Sequence, residues 1–121
     1  MNLFHREKGG GNKNLIILHG LYGCSDNWLQ IANKVSTELK VFMPDARNHG
    51  RSEWSNTHKY KDMAEDLKGF IDENSITTPI IAGHSMGGKT AIEFASIYPD
   101  IISKLIVIDI SPGKYHFSPD N

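Results

Sequence analysis

A chain of 121 residues, 39% hydrophobic and 22% charged with a formal net charge of −1, has the composition of a soluble globular protein with one domain at most. Its basic residues are scattered among acidic ones, which removes any electrostatic case for nucleic acid or an anionic membrane as partner. A single cysteine, Cys24, excludes an internal disulfide, and with no apolar leader and no apolar run approaching roughly 18 residues the expected location is the cytoplasm.

In chain order, residues 3–7 read as a short edge strand, and Gly9-Gly10-Gly11 as the turn after it. LIIL at 15–18 is an unbroken apolar run that suits a strand buried on both faces. It leads directly into HGLYG, residues 19–23, a loop whose glycines let backbone approach a ligand. Ser25 or Asp26 caps a helix in which Trp28, Ile31, Ala32, Val35 and Leu39 recur at helical spacing. Val41-Phe42-Met43 forms the next strand, stopped by Pro44, and the polar turn-former run DARNHGRS follows at 45–52. Tyr60, Met63, Ala64, Leu67, Phe70 and Ile71 line one helical stripe, with Asp62, Glu65, Asp66 and Lys68 facing away. Pro79 opens a strand at 80–82. The helix after it carries Ala91, Ile92 and Ala95 as far as Pro99, and a last strand at 105–110 closes before Pro112.

Strands alternating with helices imply parallel β-α-β units and an α/β fold, a three-layer α/β/α sandwich around a parallel sheet. Ligands on such sheets bind at the carboxyl ends of the strands. The His19 loop, the Asp45 loop, Ser85 and Asp109 all fall on that edge.

Two chemistries share the stretch PIIAGHSMGGKTA at 79–91. Gly83-His84-Ser85-Met86-Gly87 fits GxSxG, in which a serine sits on a sharp strand-to-helix turn as a nucleophile. The same letters, GHSMGGKT at 83–90, satisfy the phosphate-cradling GxxxxGK[ST], with LIVID at 105–109 as a strand ending in a magnesium-binding aspartate. The surroundings favour the serine. Acyl transfer needs oxyanion donors from the residue after the serine and from the loop after an earlier strand, which the N–H groups of Met86 and Leu21 supply. The phosphate reading leaves HGLYG and DARNHGRS without a role. Six histidines without HxH or HExxH spacing give no expectation of a metal.

The set HGLYG, DNW, DARNHGRS, MAEDL, GHSMGGKTA and DISP, in this order and covering nearly everything after Asn14, resembles the N-terminal half of an α/β-hydrolase. Within that superfamily it is most similar to the bacterial YbfF-type esterases. The resemblance implies hydrolysis of a small-molecule carboxylic ester or thioester through an acyl-serine, without a cofactor. By position, Ser85 is the nucleophile and Leu21 and Met86 line the oxyanion hole. His19, Gly20, Tyr22 and His84 surround the substrate, His19 and His84 by packing or hydrogen bonding rather than proton transfer. Asp109 is either the acid that orients the base or a strand-end residue that orders its loop. Arg47, His49, Arg51 and Ser52 brace the rim, and Tyr22 and Trp28 are available to wall an acyl pocket.

The triad order places the base histidine after the acid, and His116 reads as a loop residue before the lid. The lid, last strands and base are therefore expected outside this span, with weak chemistry from the span alone. A non-catalytic hydrolase remnant or binding module is the alternative. The outer edge of the strand at 105–110 is expected to be unpaired, inviting self-association or the missing C-terminal half.

Overall fold

A computed structural model describes residues 1–20 and 23–108, the side chains of residues 25 and 27 excepted. In chain order these form β1 (His5–Lys8), β2 (Lys13–Leu18), a 3-10 turn (Ser25–Trp28) running into α1 (Leu29–Val35), β3 (Leu39–Pro44), α2 (Tyr60–Glu73), β4 (Ile80–His84), α3 (Met86–Ile97) and β5 (Lys104–Ile108). The strands make one sheet in the order β1-β3-β2-β4-β5. All neighbours run parallel except β1, which lies antiparallel on β3 with His5 opposite Pro44. Central β2 is held from both sides, Ile16 standing opposite Phe42 on β3 and Ile81 on β4.

Because side chains alternate along a strand, β2 divides the core in two. Ile16 and Leu18 join Phe42 and Ile81 beneath Ala64, Leu67, Phe70 and Ile71 of α2 and Ala91 and Phe94 of α3. Leu15 and Ile17 join Val41, Met43 and Ala82 beneath Ala32 of α1, with Trp28 and Val35 packed alongside. The expected three layers are present, with α2 and α3 on one face and α1 on the other. Among the described residues no helix is long and apolar enough to cross a membrane.

Three details depart from the sequence reading, each for a packing reason. Helix α1 ends at Val35, and Leu39 instead begins β3 opposite Lys13. The helix presents Ala32 to the sheet and leaves Ile31 46% exposed. On α3 the buried face is Met86, Gly87, Thr90, Ala91 and Phe94, which turns Ile92 outward at 51% exposure. Strand β5, by contrast, lies at the open edge that the sequence reading expects. As the outer strand it pairs among the described residues only with β4, and Ile106 and Val107 are 42% and 49% exposed. Asp66, expected on the polar face of α2, is buried, because a buried arginine meets it.

Candidate active site

Strand β4 ends at His84 and α3 begins at Met86, so the chain reverses on Ser85 alone. Ser85 adopts φ 54° and ψ −114°, a conformation costly for any residue with a Cβ. Its N–H bonds the Ile108 carbonyl at 3.4 Å, and its carbonyl accepts the Lys89 N–H at 3.0 Å. Ser85 is half-buried, with solvent reaching it. Among the described residues no side chain hydrogen-bonds its hydroxyl.

The glycines of the motif serve close approach. A Cβ on Gly83 would lie 2.3 Å from the Gly87 carbonyl oxygen, and one on Gly87 2.3 Å from that of Leu18. Helix α3 therefore rests with its first turn against the ends of β2 and β4. That turn leaves its leading N–H groups without intrahelical acceptors, at the positive end of the helix dipole. A phosphate cradle needs a loop between strand and helix, and one residue is no loop. Thr90, the last letter of that rival motif, is buried and donates its hydroxyl to the Met86 carbonyl at 3.0 Å.

Beside the elbow runs the loop after β2. His19 is 2% exposed. Its Nε2 accepts the Ala46 N–H at 2.9 Å, so Nδ1 carries the proton and donates it to the Gly20 carbonyl at 2.7 Å. Burial, opposed by that backbone bond and aided by His49, lowers the His19 pKa and keeps the ring neutral. Both ring nitrogens of His19 are thus engaged by backbone groups, the hydrogen-bonding role that its sequence position suggests. Gly20 passes over His84 so closely that a Cβ would meet its Nδ1 at 2.8 Å. His84 itself is half-buried and turns edge-on to Trp28, with ring centroids 5.8 Å apart. Its Nε2 and the Trp28 Nε1 find no hydrogen-bond partner among the described residues.

The Asp45 loop is braced as expected. Ser52 donates its hydroxyl to the Asp45 carbonyl at 2.5 Å and accepts the Phe4 N–H at 2.9 Å. The Asp45 carboxylate accepts the Arg51 N–H at 3.1 Å, tucked into a turn where Gly50 has φ +50° and a Cβ would collide with it. Arg47 reaches across to α2, pairing with Asp66 while donating to both oxygens of Thr57. That hydrogen-bonded carboxylate raises the Arg47 pKa further. His49 donates Nδ1–H to the Arg47 carbonyl at 2.9 Å. His58, which no sequence pattern singled out, packs on His49 and reaches the Sδ of Met86 at 3.4 Å. Among the described residues no group of three His, Cys, Asp or Glu is placed to hold a metal. Leu21, Tyr22, Asp109 and His116 lie outside the described residues.

A serine on a one-residue strand-to-helix reversal, at the carboxyl edge of a mostly parallel sheet, is the arrangement of the α/β hydrolases. The chain belongs to that family: the alpha/beta hydrolase fold matches residues 13–120. It is 40% identical over 100 residues to the mouse sn-1-specific diacylglycerol lipase ABHD11, covering 81% of this chain and 33% of that protein. It is 36% identical over 105 residues to Escherichia coli esterase YbfF, covering 87% of this chain and 41% of that one. Among solved structures, an esterase of a marine microorganism superposes with a TM-score of 0.88 at 51% identity, over 98% of this chain and 46% of the other. The chain thus spans less than half the length of each of these relatives.

Proposed function

We propose that this chain carries the nucleophile elbow and oxyanion loop of a serine hydrolase acting on small-molecule carboxylic esters or thioesters. Ser85 Oγ attacks the acyl carbon, and the leaving alcohol or thiol departs as the tetrahedral centre collapses to an acyl-serine that water then hydrolyses. The N–H groups of Met86 and Leu21 donate hydrogen bonds to the oxygen on which negative charge develops. Asp109 follows β5 and is either the carboxylate that orients the base or a loop-ordering residue. The base is a histidine from the part of the fold that the relatives carry beyond this span, where the triad order places it. Exposed Ile106 and Val107 on β5 support a covering segment at that edge, supplied by the same part of the fold.

One observation carries the reading: the strained backbone of Ser85, alone between β4 and α3. Strain of this kind persists where surrounding structure enforces it, and it clusters at functional sites. The esterase and lipase relatives support the ester class. The test is phosphonylation by a fluorophosphonate in the chain supplied with the second half of a hydrolase fold, followed by mass mapping. Labelling at Ser85 that disappears in Ser85→Ala is expected, and ester hydrolysis that survives Ser85→Ala sinks the proposal. Without a base, labelling is expected to be slow, since a broken triad retains only about 10³ to 10⁴-fold acceleration over water.

A further inference from the structure

Three imidazoles stand in a column beside the elbow, with no part in the steps above. Ring centroids of His19 and His49 are 5.3 Å apart, and those of His49 and His58 are 5.5 Å apart. Hydrogen bonds fix the tautomers at the two ends. At the inner end His19 accepts from Ala46 and donates to Gly20. At the outer end the amide of Asn48 decides. Its Oδ1 accepts the Ser55 N–H at 2.5 Å, so the atom facing His58 is Nδ2, which donates to His58 Nδ1 at 3.1 Å. The proton of His58 is therefore on Nε2, and it points at the Sδ of Met86, 3.4 Å away. Partial burial, then the neighbouring His49 and Arg47, lower the His58 pKa, which keeps Nδ1 free to accept from Asn48.

Each end of the column grips a segment flanking Ser85. The Gly20 carbonyl takes both the His19 proton and the Gly23 N–H, the latter at 2.9 Å. At the other end Met86 is 5% exposed and opens α3, so its N–H is among the free donors of the first turn. A methionine has three rotatable side-chain bonds and adapts to whatever space surrounds it. The bond from His58 selects one arrangement.

We propose that His58 is a positioning residue for the serine chemistry: as the outer member of the histidine column it holds Met86, and through Met86 the amide that receives the oxyanion. The inference rests on the serine-hydrolase reading for its purpose, but the contact is testable apart from it. Glutamine at position 58 keeps a neutral N–H donor of similar reach, whereas alanine removes it. In ¹⁵N- and ¹³C-methyl-methionine-labelled protein, His58→Ala should shift the Met86 amide and methyl resonances, His58→Gln should leave both near wild type, and the amides of α2 should not move in either. Coincident Met86 signals in wild type and His58→Ala, or equal shifts in both variants, would overturn the proposal. In hydrolytically competent protein, His58→Ala should lower kcat several-fold at unchanged KM, with His58→Gln recovering most of it; an unchanged kcat in the alanine variant would also overturn it. Activity retained by Ser85→Ala defeats the parent reading alone, and leaves the resonance result to speak for the contact.

Discussion

The guanidinium of Arg47 meets the carboxylate of Asp66 edge to edge, Nε to Oδ2 at 2.7 Å and Nη2 to Oδ1 at 2.9 Å, with both side chains more than nine-tenths buried. A paired geometry of this kind offsets the desolvation of two charges, and losing one partner leaves the other stranded. Asp66→Ala should therefore cost about 3–5 kcal/mol of unfolding free energy. Replacing both partners with apolar residues of similar size, as in Arg47→Met with Asp66→Leu, should cost less than either single change. Urea denaturation measures all of these, and a single-variant loss below about 1 kcal/mol, the range of exposed pairs, would contradict the argument.

Two helical glycines should respond to alanine with opposite signs. Gly69 lies in α2, and a Cβ there meets nothing within 4 Å. Removing glycine's helix penalty makes Gly69→Ala stabilising by about 0.5–1 kcal/mol. Gly87 lies in the first turn of α3, where the Cβ would stand 2.3 Å from the Leu18 carbonyl oxygen and 2.7 Å from that of His19. Neither oxygen is free to move, since β2 is pinned between β3 and β4. Gly87→Ala should cost about 3 kcal/mol or more, at or beyond the upper end of overpacking penalties. Denaturation midpoints that move in the same direction for both variants would count against this account of the elbow.

The buried His19 makes a prediction about acid. Burial holds its folded pKa below the ordinary histidine value of about 6.5, so below that value the unfolded chain binds a proton that the folded chain refuses. Stability from this group is complete above 6.5, declines as the pH falls beneath it, and is fully lost only below the depressed folded pKa. Protonation at Nε2 would also turn the Ala46 N–H bond into a donor facing a donor. Unfolding free energy measured between about pH 7 and about pH 5 should fall more steeply in wild type than in His19→Gln. The glutamine variant is less stable at neutral pH, so the slope is the diagnostic quantity. Parallel slopes would remove His19 as the cause.

Much of the architecture was legible because periodicity reports burial. The two-sided apolar run at 15–18 is the central strand, and the stripe from Tyr60 to Ile71 is the face of α2 that meets the sheet. GxSxG located the reversal at Ser85 because the glycine spacing reflects a backbone collision, which is a local property. Hydropathy failed where a polar residue is satisfied by something distant. Asp66 reads as surface until Arg47, 19 residues earlier, is brought against it. His58 was invisible for the same reason, since its partners Asn48, His49 and Met86 come from a loop and a later helix. Ile31, Ile92 and Val107 are apolar yet exposed, and their spacing carries no sign of what covers them.

The backbone of Ser85 supports a last test that needs no substrate. At φ 54° and ψ −114° a residue with a Cβ is strained by roughly 1–3 kcal/mol, and glycine is not. At ordinary positions glycine is the less stable of the pair by about 0.4–1 kcal/mol, because its unfolded chain has more freedom to lose. Ser85→Ala keeps the Cβ and the strain while removing the hydroxyl. Ser85→Gly removes both. If the elbow is held in this conformation by the contacts of Gly83, Gly87 and the strands beneath, Ser85→Gly should be more stable than Ser85→Ala by about 1 kcal/mol, reversing the usual order. Neither variant should be phosphonylated. A glycine variant less stable than the alanine variant would mean that position 85 is relaxed in solution, and the strongest structural support for a nucleophile there would be lost.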